Sequence, residues 1–160
     1  MPKNVIDPIA QLMQEHDETL HQLQKLNAAA RGLSENGFTK DHFKQILASL
    51  EFINEEVTQH NQREEEALFP TLERYVEGPT QIMRNDHIVL YSNFMEFRKI
   101  VTRVEKKPQD IETIDELAAM AKHVVQIFVN HIHKENYILF PLVQKFLSKA
   151  ELREVAKKMM

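Results

Sequence analysis

The sequence predicts an all-α protein, an antiparallel up-down-up-down four-helix bundle with a short fifth helix at the C-terminus. Apolar residues recur at spacings of three and four through most of the chain, which places them on one face of a helix. Only 3 Gly and 6 Pro interrupt the 160 residues, so we expect few and long elements. No segment alternates between apolar and polar residues as a half-buried strand would. This length fits one domain, residues 1–160.

The first two helices are expected in the N-terminal half of the chain. Apolar side chains follow one face from Ile9 to Leu33, and the segment RGLSENG closes this pattern. Thr39 is suited to cap a second helix that runs to about Phe69. Pro70 is expected to kink or end this helix, because proline lacks an amide hydrogen and crowds the carbonyl group four residues earlier.

The sequence of the C-terminal half predicts two more long helices and one short helix. The third helix is expected at about residues 79–106, between the breaks Gly78-Pro79 and Lys107-Pro108. The fourth is expected at about residues 111–147, and an amphipathic tail at residues 150–159 predicts the fifth. Short connections between long helices favour antiparallel neighbours.

One pattern occurs twice in the chain. The stretch HNQREEEALFP begins at residue 60, and HIHKENYILFP begins 71 residues later; both contain His, three residues, Glu, three residues and Leu-Phe-Pro. The same offset places Glu15-His16 on Asp86-His87. The sequence therefore predicts an internal repeat of two helical hairpins, at about residues 5–77 and 79–148.

Six polar residues at repeat-related positions are candidate metal ligands. They come from four different predicted helices: His16, His60, Glu64, His87, His131 and Glu135. His and Glu four residues apart lie on the same helical face, here among apolar residues. Burial of such groups is costly unless they are paired or bound to a metal. We therefore expect these six side chains to form one metal site.

The donor set favours a pair of iron ions as the cofactor. The chain has no Cys, so a thiolate zinc site is excluded. Two Fe ions, each bound by two His and both bridged by the two Glu and by an oxo or hydroxo group, match the symmetry of the repeat. Ferritin-like centres instead use Glu-x-x-His and more carboxylates. A nitrogen-rich site favours binding of O2, peroxide or NO over hydroxylation chemistry.

These motifs resemble the hemerythrin-like (HHE cation-binding) di-iron domain family, over nearly the whole chain. The shared pattern is an isolated His, then His-x3-Glu, repeated once, with Leu-Phe-Pro after each pair. The resemblance implies a four-helix bundle with a non-haem di-iron site. Tyr91 stands where oxygen-carrying members have a further His, and the symmetric ligand set is similar to the di-iron domain of bacterial iron-cluster repair proteins.

The function predicted is binding or turnover of a small ligand, namely O2, peroxide or NO, at the four-His two-Glu centre. An alternative is an iron- or oxygen-sensing or iron-delivery module without catalysis, so the sequence leaves enzymatic activity open. A metal-free scaffold is disfavoured, because it would bury two unpaired carboxylates. Tyr91 lies one turn after His87 and is expected to face the site. It is interpreted either as a core aromatic residue or as an iron ligand or donor of protons or electrons.

Charge and hydropathy argue against nucleic acid and membrane as partners. The net charge of −4 disfavours nucleic acid, and no apolar run approaches the length of a membrane span. The N-terminal residues lack the apolar core of a signal peptide, so a cytoplasmic location is expected.

The other titratable residues near the motifs are not expected to bind metal. The residues expected at the surface are His21, His42, His133, Glu65 and Glu66, whereas His123 is expected in the core or at its boundary.

Overall fold

The computed structural model describes residues 7–160, and within that range every regular element is helical. Consecutive helical segments join into five helices. Their bounds are Pro8–Asn36 (α1), residues 40–72 (α2), Pro79–Lys106 (α3), residues 111–146 (α4) and Lys149–Lys158 (α5). The all-α prediction is confirmed, although the first residues of the expected repeat lie outside the described range. No helix of the described part is long and apolar enough to cross a membrane.

The helix ends follow local signals in the sequence. The Asp7 carboxylate accepts hydrogen bonds from the amides of Ile9 and Ala10 at the start of α1. Thr39 caps α2 as expected, because its hydroxyl accepts from the amide of His42. Gly37 ends α1 with a φ of 86°, a left-handed conformation that other residues adopt only with strain.

Two helices contain π-helical turns at the repeated motif. Helix α2 consists of Lys40–Phe52, a π turn at Ile53–Val57, Thr58–Arg63, a second π turn at Glu64–Leu68, and Phe69–Leu72. Helix α4 consists of Ile111–Lys134, a π turn at Glu135–Leu139, and Phe140–Phe146. In both repeats the π turn begins at the Glu of the His-x3-Glu pair, Glu64 or Glu135, and ends just before Phe-Pro.

These π turns explain why Pro70 does not end α2. The amide of Phe69 donates to the carbonyl of Glu64, five residues back, so the helix widens just before the proline. Phe140 donates to Glu135 in the same way before Pro141. Proline has no amide hydrogen to donate, and its ring crowds the carbonyl group four residues earlier. A π turn, which is wider than an α-helical turn, gives that ring room. The expected break at Pro70 is therefore replaced by a local change of helical pitch.

The apolar core consists of two clusters with a polar layer between them. The large core includes Leu23, Phe97 and Leu117, and the small core includes Ile9 and Phe140. Helices α1 and α3 pass from the small core to the large one, and α2 and α4 pass in the opposite direction. Helix α1 contacts α2 and α4, and α3 contacts α4. All six candidate ligands lie where the helices cross from one core to the other.

Helix α5 covers the end of the small core. Val155 and Met159 are buried in that cluster. Ser148 and Glu151 form a reciprocal capping box at the start of the helix. The Glu151 carboxylate also accepts a hydrogen bond from the hydroxyl of Tyr75, which follows α2. This helix therefore ties the C-terminus to the end of α2.

Candidate metal centre

The six candidate ligands meet in the polar layer, although they come from four helices. His16 lies on α1, His87 on α3, and a His–Glu pair lies on each of α2 and α4. All six side chains are buried, and Glu64 and Glu135 are fully so, at 0% exposure. Their proximity agrees with the prediction from the sequence; that they bind metal stays a prediction.

These side chains form two groups of donors that share both carboxylates. One group is His16, His60, Glu64 and Glu135; the other is His87, His131, Glu64 and Glu135. Within each group, one donor atom of every residue lies within 4.8 Å of the others. We call the two places the His16–His60 position and the His87–His131 position.

Each carboxylate directs one oxygen to each position. The Oε2 atom of Glu64 lies 3.3 Å from Nε2 of His60, and its Oε1 atom lies 3.2 Å from Nε2 of His87. The Oε1 atom of Glu135 lies 2.8 Å from Nε2 of His16, and its Oε2 atom lies 3.3 Å from Nε2 of His131. All four imidazoles thus turn Nε2 inwards.

Several of these inward atoms have no hydrogen-bond partner among the protein atoms. No aligned hydrogen bond reaches either oxygen of Glu64, although imidazole nitrogens lie 3.2 and 3.3 Å away, and none reaches Oε2 of Glu135 or the Nε2 atoms of His87 and His131. A buried carboxylate without partners carries a desolvation cost of several kcal/mol. Nitrogen and oxygen donors that converge without partners are what a divalent or trivalent cation requires. The residues therefore fit a metal pair.

Three of the buried imidazoles and Glu135 shift one another's pKa values in this layer. Burial alone would lower the pKa of His87, but the adjacent Glu135 and Glu64 raise it to about 10. The same carboxylates raise the pKa values of His60 and His131 against the effect of burial. Burial likewise opposes the ionisation of Glu135, yet the surrounding imidazoles hold its pKa well below the usual range. A metal ion would therefore displace protons from this layer.

A second ring of polar residues holds the outward Nδ1 atoms. Nδ1 of His60 lies 2.8 Å from the Glu15 carboxylate, which the Arg63 guanidinium also contacts at 2.7 Å. This arrangement fixes the ring orientation and places the proton on Nδ1, leaving Nε2 free as a ligand. Burial would raise the pKa of Glu15, but its bond with His60 is the chief reason that the pKa is lowered.

The second repeat copies this arrangement. Nδ1 of His131 lies 3.0 Å from the Asp86 carboxylate, and the Lys134 ammonium group lies 2.7 Å from the same oxygen. Burial opposes ionisation of Asp86, but hydrogen bonds from Lys134 and His131 lower its pKa. The sequence repeat aligned Glu15 with Asp86 without assigning either a role, and the same offset relates Arg63 to Lys134. The constant offset of 71 residues was the signal that could have identified them.

The remaining two imidazoles have different outward neighbours. Nδ1 of His16 lies 2.7 Å from the amide oxygen of Asn136. Nδ1 of His87 lies 3.3 Å from the carboxylate of Glu65. Glu65 and Glu66 were expected at the surface: Glu66 is exposed, and Glu65 lines a surface groove with its side chain partly buried beside His87. The π turn that begins at Glu64 reorients the following residue, which a regular helical projection does not anticipate.

The repeated Leu-Phe-Pro segments supply aromatic walls for the site. The ring of Phe140 stacks on that of His16, with centroids 5.4 Å apart and planes 15° apart. Phe69 stacks on His87 in the same way, at 5.9 Å and 19°. Each repeat therefore covers a histidine of the other repeat, which accounts for the second half of the repeated motif.

Tyr91 lies at the edge of the site and outside the buried layer. Its side chain is 62% exposed, and it lines a surface groove together with His87, Glu65 and Ile88. The interpretation of Tyr91 as a core aromatic residue is wrong. Four residues along a helix amount to about 400°, so a residue one turn later is rotated by roughly 40°. That rotation is enough to bring Tyr91 out at the groove.

The other histidines lie away from the donor groups. His21 and His133 are exposed, as expected. His123 is also exposed, so its expected place in the core or at its boundary was wrong. His42 was expected to be solvated but is half-buried, with its ring against Gly32 of α1.

Comparison with known proteins identifies related sequences. A family model described as Hemerythrin HHE cation binding domain matches residues 7–143. The iron-sulfur cluster repair protein YtfE of Yersinia pseudotuberculosis serotype IB (strain PB1/+) is 29% identical over 100 residues, which are 60% of this chain and 45% of that protein. The YtfE protein of Yersinia pestis (strain Pestoides F) matches to the same extent. This chain thus spans less than half the length of these curated relatives.

Proposed function

The chain belongs to the hemerythrin family of HHE cation-binding domains, and we propose that it is a non-haem di-iron protein that binds or turns over O2, peroxide or NO. One observation carries the proposal: two groups of four buried donors share the carboxylates of Glu64 and Glu135. A single ion would leave one pair of imidazoles without a role. Two ions use all six residues.

In this proposal each metal position has two imidazoles of its own. His16 and His60 hold one ion, and His87 and His131 hold the other. Glu64 and Glu135 bridge them, since each directs one oxygen to either position. Iron held by these residues would supply a change of redox state and a place to bind a small ligand.

An antiparallel up-down-up-down bundle is the arrangement we propose for α1 to α4. The alternating passage of these helices between the small and the large core supports it. Such a bundle places the middle of each helix in one layer, so that ligands from four helices meet without any loop contributing to the site.

The surrounding residues prepare the site for this chemistry. Glu15 and Asp86 keep a proton on Nδ1 of His60 and His131, so that Nε2 of each ring is directed inwards as a donor. The stacked rings of Phe140 and Phe69 exclude water from the flanks of His16 and His87. The layer is therefore flanked by aromatic rings, and surface grooves reach it at His87 and at His131.

We propose that small ligands enter through the groove that Tyr91 lines. His87 and Glu65 are also part of that groove, so it leads from solvent to one of the donor groups. The exposed phenol of Tyr91 is placed to donate a proton or an electron near the mouth. It is too exposed to be a buried ligand of the metal.

Optical spectroscopy tests this function. Iron-loaded protein is reduced without air and then mixed separately with O2, peroxide and NO. We expect at least one of the three to change the near-ultraviolet and visible bands within seconds. Persistence of the new spectrum would indicate binding, and its return to the oxidised spectrum with consumption of the ligand would indicate turnover. No response to any of the three would contradict the proposal.

A second candidate function is iron delivery without catalysis, as a repair-like module. The similarity to two proteins named for iron-sulfur cluster repair favours it. The test is transfer of iron: the loaded protein is incubated without air with a metal-free iron–sulfur protein, sulfide and thiol. Faster cluster assembly than with an equal amount of free Fe2+ would support delivery. An equal or slower rate would count against it.

A further inference from the structure

The two metal positions differ in the groups that face their histidines from outside. The His16–His60 position has one carboxylate in this ring, Glu15, and one neutral amide, Asn136. The His87–His131 position has two carboxylates there, Asp86 and Glu65. Glu65 and Asn136 occupy the same place in the two repeats, directly after the bridging Glu. The internal symmetry is therefore broken at this pair.

The difference affects the histidines as ligands. A carboxylate beside Nδ1 makes the opposite ring nitrogen more electron-rich than an amide oxygen does. Glu65 acts on His87 through its charge at 3.3 Å, since no aligned hydrogen bond joins the two groups. Loss of such an outer partner typically lowers metal affinity by roughly 10- to 100-fold. The Arg84 guanidinium lies 4.0 Å from Glu65, but it also contacts Glu73 at 3.3 Å, so Glu65 is not its sole partner.

Two surface grooves lie beside the His87–His131 position. One groove is lined by His87 and Glu65, and another by His131 and Asp86. Both grooves reach a histidine of the His87–His131 position. The position with the additional carboxylate is therefore reached by two grooves.

We propose that the metal centre is loaded in two unequal steps: the His87–His131 position binds the first ion more tightly, and Glu65 is the positioning residue that makes the difference. This inference rests on the proposed two-metal function. Glu65 acts through His87, which it faces, and not as a ligand. Asn136 is the matching residue that leaves the His16–His60 position weaker.

Calorimetric titration of the metal-free full chain with Fe2+ under argon tests the order of loading. Two background variants isolate the positions: His60→Ala leaves the His87–His131 position, and His131→Ala leaves the other. We expect the first background to bind one ion roughly 10- to 100-fold more tightly than the second. Equal affinities, or tighter binding by the second background, would overturn the proposal.

Glu65→Gln is then introduced into each background. We expect it to weaken binding by roughly tenfold or more where His87 is a ligand and to leave the His131→Ala background unchanged. An equal effect in both backgrounds, or none in either, would overturn the role of Glu65. The thermal midpoint of each metal-free variant is measured alongside, so that a folding defect is not mistaken for a change in affinity.

Two matched substitutions complete the test. Glu66→Gln removes the same charge from the adjacent, exposed residue, whose carboxylate is bonded by Gln62. We expect it to change neither affinity, and an effect as large as that of Glu65→Gln would overturn the assignment. Asn136→Asp places a carboxylate against His16 and should strengthen the His16–His60 position; no gain there would contradict the proposed cause.

Failure of this inference is distinguishable from failure of the proposed function. Wild-type protein that takes up two ions with equal affinity would overturn the unequal loading but retain the two-metal centre. Wild-type protein that takes up fewer than two ions would overturn the function itself.

Discussion

Individual residues outside the ligand set orient the candidate ligands. Glu15 and Asp86 hold the outward nitrogens of His60 and His131, and Arg63 and Lys134 hold those carboxylates in turn. Such chains fix both the tautomer and the direction of a ligand before a metal arrives. Precise ligand geometry in this layer therefore depends on residues that do not themselves touch a metal.

Glu15→Gln tests this orientation at one residue. We expect it to lower the affinity of the His16–His60 position for Fe2+ by roughly 10- to 100-fold, because the amide accepts less strongly from Nδ1 of His60. Titration of the metal-free protein measures the change. Glu18→Gln on the same helix is exposed and serves as the control. Similar losses from both substitutions would point to net charge instead of orientation.

Tyr91→Phe tests the residue at the mouth of the groove. Because the phenol is exposed and lies outside the donor groups, we expect the variant to retain the wild-type iron content and ultraviolet spectrum. Elemental analysis and absorbance measure this. Loss of iron or of a charge-transfer band would show that the hydroxyl is a ligand after all. A slower reaction with peroxide at full iron content would identify it as a donor.

Their spacing in the sequence decides which residues of the site could be predicted. His60 and Glu64, with their copies in the second repeat, were identifiable because a separation of four residues places both on one helical face. Glu65 was not, because a π turn begins at Glu64 and changes the direction of the residues after it. A single π turn within a long helix does not change the periodic pattern of apolar residues enough to be seen in the sequence.

At the scale of the elements, the repeated motif combines a candidate ligand with a π turn in its helix. Each π turn ends just before Phe-Pro, and each of these Phe rings stacks on a histidine of the other repeat. Helix α2 has an additional π turn at Ile53–Val57 that α4 lacks. The two hairpins are thus similar in sequence but not identical in their helical geometry.

The packing of α5 against the small core can be tested by measuring stability. Val155 has 0% exposure and lies in the small core. We expect Val155→Ala to lower the free energy of unfolding by about 1–3 kcal/mol, since it removes two buried methyl groups and leaves a cavity. Chemical denaturation measures the loss.

A surface substitution on α5 provides the matched control. Lys157→Ala removes an exposed side chain from the same helix and should change stability by less than about 0.5 kcal/mol. Equal losses from the two substitutions would contradict a specific stabilising contact of Val155 with the small core, because alanine raises helical propensity at both positions.

At the scale of the whole molecule, the polar layer links four helices and two apolar cores. Without metal it depends on protonated imidazoles beside two buried carboxylates. With metal the same carboxylates have direct partners, and the binding free energy adds to the stability of the fold. Stability and metal content should therefore vary together.

The pH dependence of the metal-free protein follows from the signs of these pKa shifts. His87 has its pKa raised from 6.5 to about 10, so its stabilising contribution is complete below pH 6.5 and is lost as the pH rises towards 10. Glu135 has its pKa lowered from 4.5, so its contribution is lost as the pH falls below that value. We expect maximal thermal stability of the metal-free protein between about pH 4.5 and 6.5.

Metal loading should reverse the alkaline part of this profile. Iron requires unprotonated imidazoles, so its affinity rises with pH and its binding releases protons. Thermal melts of metal-free and iron-loaded protein across the pH range measure both curves. A metal-free protein that becomes more stable from pH 6.5 to 9 would contradict the protonated layer described here.

The sequence predicted the fold class and the grouping of the six candidate ligands for the same reason. Helical periodicity and the 71-residue repeat are both long-range regularities, and the apolar positions and the six donors follow them. Local departures were missed: the π turns, the exposure of Tyr91 and of His123, and the contact of Glu65 with His87. These depend on small rotations within a packed layer, which composition and spacing do not record.

The most direct test of the two-metal centre is a count of iron in the full chain. Metal-free protein is reconstituted with Fe2+ under argon, freed of unbound metal and submitted to elemental analysis. We expect two irons per wild-type chain, and a loss from both positions together with a lower thermal midpoint in Glu64→Ala, because this carboxylate serves both donor groups. One iron or none in the wild type would contradict the central claim.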